Sequence, residues 1–263
     1  MAGGPNSWTA TPHAGQIRLP NNEVIHAQVT SFASSDGRNG FFVMSTPSVW
    51  RAGHVDGGAI GLEATMVAVL LHEGSHVAQI PTYGNRMESL SKRHHLPESF
   101  NDDSIQERFA GNAEFARSVD RETSLLLTAA GSATSTDALK LARQARALML
   151  ERQQRWFAGP DAYFAEAEDI WLTMEGSAQW AGYCWLIDPH GGQVNTSVAT
   201  AAFGGRGKWW SQKEGFALFL LLDRLTEGKW KRHAFGDGAL TGLEMLDQAI
   251  GVSAARPDSE STK

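Results

Sequence analysis

The chain has 263 residues, 42% of them hydrophobic and 20% charged, and a formal net charge of −6 at pH 7. Such a balance is that of an ordinary globular chain. It excludes the dense Lys/Arg run expected of a nucleic-acid-binding protein, the long apolar stretch needed for a membrane span and, with Cys184 alone, an intrachain disulfide.

One domain over residues 1–253, followed by a disordered polar tail at 254–263, fits this length and composition. No internal repeat is visible. The segment from Met1 to Trp8 has no basic start and no apolar core, so it does not read as a signal peptide. The protein is expected in the cytoplasm, or exported if a leader has been removed. Oligomeric state is open.

Residues 1–20 are polar and rich in glycine and proline, which suggests an extended segment. From Val24 to Phe32, Ile25, Ala27 and Val29 alternate with His26, Gln28 and Thr30, the pattern of a strand. A turn cluster from Ser34 to Gly40 and a second strand from Phe41 to Thr46 complete a hairpin. One exposed edge of it can pair with an extended peptide. His54, in a glycine-rich loop, reads as solvent-facing.

A helix is expected from about Gly61 to Gln79, stopped by Pro81. It contains His72-Glu73-Gly74-Ser75-His76. Residues four apart share a helix face, so His72 and His76 can direct two imidazole nitrogens at one metal ion. Glu73 stands one step round, where its carboxylate can take a proton from a water activated by the metal. Zinc suits two imidazoles and one carboxylate, with the fourth position open. The uncharged flanks Leu70, Leu71, Gly74, Ser75, Val77 and Ala78 suit a helix buried under a metal.

Residues 81–100 read as a mixed polar loop. A helix then runs from Asn101-Asp-Asp-Ser104 to Ala130, carrying Glu122 as a surface residue or one behind a ligand. Another runs from Ser135 to about Phe157, with Arg143, Arg146, Glu151, Arg152 and Arg155 on a solvated face. Gly159-Pro160-Asp161 is a break. From Ile170 to Leu186 the chain is apolar or neutral except for Glu175. A buried carboxylate needs a cation or several donors, and a zinc ion is such a cation. Glu214 also precedes a glycine at the start of an apolar helix. It is the runner-up as third ligand, although an acid in a first turn is already favoured by the helix dipole. Between these helices, residues 188–208 look irregular. Tyr183, His190 and Arg206 are candidates to steady an oxyanion. A last helix is expected from Leu240 to Ile250.

Residues 69–78 resemble the metal helix of the zincin metallopeptidases. The zincin branch with H-E-x-x-H-x-x-G-x-x-H is excluded, because Gln79 and Thr82 occupy the positions of its glycine and third histidine. The remaining common branch is the gluzincins, in which a glutamate on a later helix is the third ligand. Glu175-Gly176-x-Ala178-x-Trp180 is similar to the Glu-Gly-x-Ala-x-aromatic pattern around that ligand in aminopeptidase N-like enzymes. There, small residues let the ligand helix pack close to the metal helix. The resemblance implies Zn²⁺ on His72, His76 and Glu175, Glu73 as general base, and an edge strand beside the cleft for a peptide or protein substrate. Glu175 stands 99 residues after His76, a longer gap than in that family, so helices must be inserted between them.

The expectation is therefore an α+β fold, a small N-terminal antiparallel sheet packed on a mainly helical zincin-like body, acting as a zinc-dependent peptidase. The alternatives are a zinc-binding protein of this type that does not cleave, and a helical interaction protein with a chance motif.

Overall fold

The computed structural model describes residues 2–4, 7–9, 12–204 and 209–251. The expected tail at 254–263 and Arg206 lie outside them. The architecture is α+β: short antiparallel ribbons near the N-terminus and a mainly helical body.

Among the described residues there are three two-stranded ribbons, β1 (Ala2–Gly4) with β2 (Ser7–Thr9), β3 (Gln16–Arg18) with β4 (Val24–His26), and β5 (Ser31–Ser35) with β6 (Gly40–Met44). The single strand expected over 24–32 is thus divided. The segment read as extended supplies β3, which takes β4 in the register Ile17 to Ile25, whereas β5 takes β6 in the register Phe32 to Val43. Serving two different partners forces a bend between them. The β5–β6 turn follows its composition: Asp36 Oδ1 accepts the backbone N–H groups of Arg38 and Asn39 at 2.8 and 2.7 Å, and Gly37 takes a φ of 87°.

Pro47 opens α1 (Pro47–Ala52), and α2 spans Leu62–Gln79. Pro81 does not stop the chain there. A π-helical turn, Ile80–Gly84, carries it into α3 (Asn85–His94), replacing the loop expected at 81–100. The wide turn accommodates a ring that a regular α turn rejects. The helix expected from 101 to 130 is two, α4 (Ser104–Phe109) and α5 (Ala113–Ala130). Asn112 separates them, its side chain accepting the N–H groups of Glu114 and Phe115 at 3.0 and 3.1 Å as the N-cap of α5. Then come α6 (Ser135–Trp156), α7 (Phe164–Ile187), α8 (Thr196–Gly204), α9 (Trp210–Thr226) and α10 (Gly242–Ile250). The segment expected to be irregular after α7 therefore holds α8. No helix among the described residues is long and apolar enough to cross a membrane.

The central element is α7, packed between α2 and α9. A β-carbon on Gly182 would lie 3.0 Å from the Ala68 carbonyl oxygen of α2. A β-carbon on Gly176 would lie 2.3 Å from the Gly215 carbonyl oxygen of α9. The glycine beside Glu175 thus serves the contact with α9, not the contact with the metal helix that the family pattern suggested. One apolar core joins Leu126, Met149, Leu172, Phe219, Trp230 and Leu246, and another joins Phe109, Phe115, Phe157, Phe164 and Trp171.

The face of α6 expected to be solvated is partly buried. Arg146 makes a bidentate pair with Asp247 at 2.7 and 2.8 Å. Arg152 is fully enclosed; its Nε donates to Glu122 at 2.8 Å and its Nη1 to Glu168 at 2.6 Å. Glu122 is buried as well, not at the surface. An amphipathic pattern registers the charge of such residues, not whether another helix closes over them.

Candidate metal centre

Helical spacing puts His72 and His76 one above the other on α2, and α7 brings Glu175 over them. The two Nε2 atoms are 2.9 Å apart. Glu175 Oε1 is 3.1 Å from His76 Nε2, and Oε2 is 3.4 Å from His72 Nε2. Donors held 2.0–2.1 Å from one tetrahedral zinc lie about 3.3 Å from one another. Among the described residues these three form a group whose ligand atoms all lie within 4.8 Å. Glu175 Oε2 is buried without a hydrogen-bond donor, a state that suits coordination.

At this spot the imidazoles and the carboxylate favour each other's charged forms. Burial works against charge on Glu175, yet His76 and His72 hold its carboxyl far below the usual carboxylate range. Burial likewise works against the charged form of His76, and Glu175 overcomes it, pushing its pKa up to about 9.

A polar chain behind His76 fixes its tautomer. Gln79, fully buried, donates from Nε2 to Ser177 Oγ at 2.7 Å and to the Ala234 carbonyl at 3.3 Å. Its Oε1 is thereby turned to His76 Nδ1 at 3.3 Å and accepts the proton there, so that Nε2 is the nitrogen a metal would take. Sequence inspection missed this role. The available signal was position, since Gln79 follows His76 by three residues and shares its helix face.

Glu73 is 6% exposed. Burial raises its pKa against the opposing pull of His72 and His76, and the Ser31 side chain hydrogen-bonds it. Ser31 belongs to β5, whose residues 31–35 line a cavity of about 690 Å³ together with His72, Glu73, His76 and Glu175. The far edge of β5 has no strand partner among the described residues. Asp102, expected only as part of a helix start, also lines this cavity, and burial and the nearby Glu175 push its pKa up to about 7.

Other candidates fall elsewhere. Glu214 is not at the site: it is buried 3.7 Å from Arg152 Nη2 and packs with Glu122. Its helix crosses α7 glycine on glycine, which turns the two glutamates to different partners. Tyr183 packs edge-on against Phe216 in the core and lines neither cavity that touches the histidines. His190 sits in the turn after α7, its N–H donating to Asp188, and His54 occupies an exposed turn. Four helices, α3 to α6, are inserted between the metal helix and the helix of Glu175. Compared with known proteins, the chain matches no family model, no curated protein and no solved structure.

Proposed function

We propose that the protein is a zinc-dependent peptidase of the gluzincin type. The observation that carries this reading is the convergence of two imidazole nitrogens and one carboxylate, all 2.9–3.4 Å apart, beside a buried Glu73 on a cleft edged by β5. His72, His76 and Glu175 would hold the ion. When bound, zinc supplies a Lewis acid that polarises a carbonyl and makes water acidic enough to attack it near neutral pH.

The chain's own groups do the rest. Glu73 removes the proton from the attacking water and delivers it to the departing amine nitrogen; its raised pKa brings it closer to working pH for both transfers. The open edge of β5 offers backbone N–H and C=O groups to an extended peptide, which holds the scissile bond over α2. Gln79 keeps His76 in the ligating tautomer.

The test combines metal content with cleavage of a mixed peptide library. Near-stoichiometric zinc in the wild type, sharply less in Glu175→Ala, and zinc without cleavage in Glu73→Gln are the expected results. Zinc in the wild type with no peptide cut would leave a zinc-binding protein of another function. No zinc uptake at all would reduce the motif to coincidence.

A further inference from the structure

A second cavity, of about 380 Å³, also borders His72 and Glu73. It shares Ser31, His72, Glu73 and Gln212 with the larger cavity, so the two meet at the candidate reaction centre. Their walls differ. The larger sets Arg38, Asn85, Glu88, Asn101 and Asp102 among apolar residues such as Trp171 and Met174. The smaller is walled by Ile60, Ala68, Val69, Ala202, Phe203 and Trp209.

Most polar side chains that reach the smaller cavity have a partner, Thr65 Oγ1 donating to the Gly57 carbonyl at 3.5 Å. Gln179 donates to Gln212 at 3.0 Å, and Lys213 Nζ donates to Asp120 at 2.9 Å. A polar or charged group entering here would give up water for few free partners, whereas an apolar group would gain by burial. A peptide lying along β5 passes Ser31, where the two cavities join, so a side chain next to the bond over Glu73 is the group that reaches this space.

We propose that this cavity is a selectivity pocket for a large apolar side chain, Phe, Leu or Met, adjacent to the cleaved bond. This rests on the peptidase reading above and adds a substrate class to it. Ala202 is the residue that tests it. It is exposed on α8 at the cavity wall, outside the metal-binding and proton-transfer groups, so Ala202→Trp fills the space without disturbing the core.

The probes are two hydroxamates that share one zinc-binding group, acetohydroxamate and 3-phenylpropionyl hydroxamate, titrated calorimetrically into zinc-loaded protein. The phenyl compound is expected to bind wild type at least about tenfold more tightly, a gain abolished in Ala202→Trp and kept in Ala202→Ser. Equal affinities in wild type, or a gain that survives Ala202→Trp, would overturn the pocket while leaving the peptidase reading intact. Protein that takes up no zinc, read by metal analysis before titration, would overturn that reading and the pocket with it. Among library peptides that are cut, apolar residues should be enriched on one side of the cleaved bond and replaced by Gly, Ala or Ser in Ala202→Trp.

Discussion

Gly176 and Gly215 put the backbones of α7 and α9 in direct contact: a β-carbon on Gly176 would sit 2.3 Å from the Gly215 carbonyl oxygen, and one on Gly215 would sit 2.7 Å from the Leu172 carbonyl oxygen. The obstructing atoms are main chain, so no side chain can swing away. Gly176→Ala must part the helices or shift α7, and with it Glu175. It is expected to destabilise by about 3 kcal/mol and to lower zinc uptake, measured by urea unfolding and metal content. Gly74, on the metal helix, is the control. A β-carbon there meets nothing within 4 Å, so Gly74→Ala should stabilise by about 0.5–1 kcal/mol.

Three carboxylates, Glu122, Glu168 and Glu214, surround the single guanidinium of Arg152. Burial raises the Glu214 pKa well above its usual value despite Arg152, and a hydrogen bond to Glu122 adds to this, so Glu214 carries the proton of the pair. Glu214→Gln replaces a neutral acid by a neutral amide and should cost under about 1 kcal/mol. Arg152→Met strands the carboxylates and should cost about 3–5 kcal/mol. The pH dependence has a definite sign. A carboxyl whose folded pKa is raised binds its proton more tightly folded than unfolded, so its contribution is fully present below the unfolded value, near 4.5, and is lost as pH rises through the folded one. Stability of wild type relative to Glu214→Gln should fall as pH climbs above about 4.5, read by denaturant titration at several pH values.

Gln79 sets the tautomer of His76 through bonds that tie it to α7 and to the segment before α10. Gln79→Met keeps the volume and removes the acceptor at Nδ1. Zinc affinity should fall about 10–100-fold, measured by competition with a chromogenic chelator. Helix content by circular dichroism should not change, since Ser177 Oγ still has the Thr173 carbonyl to donate to.

Much of the candidate site was legible because its cues are local. Two histidines four apart declare a shared face whatever the tertiary fold, and a lone acid in an apolar helix declares a need for a cation. The two Glu-Gly-x-Ala segments, by contrast, are locally alike. What separates Glu175 from Glu214 is which helix lies opposite each carboxylate, a long-range fact. Arg152 was misplaced on a solvated face for the same reason. Leu70 and Ala78 went the other way, expected under the metal yet exposed on the outer side of α2. The division between β4 and β5 depended on β3, whose three residues are too few to stand out by alternation. Pro81 misled because a wide helical turn can absorb what an α turn cannot.

The crossing of α7 and α9 has a consequence for how charge is supplied to this molecule. Each helix brings a glutamate next to the glycine at the crossing, and the two carboxylates look into separate sockets. Arg152 fills one of them and is made with the chain. The other faces His72 and His76, and under the zinc reading it takes a cation from outside. The scaffold of α5, α6, α7 and α9 therefore closes on a charge it always possesses, and α7 is already held to α2 by the approach of Gly182 to Ala68 and by the Gln79–Ser177 hydrogen bond. Under the zinc reading, chelation disarms the protein without dissolving its frame.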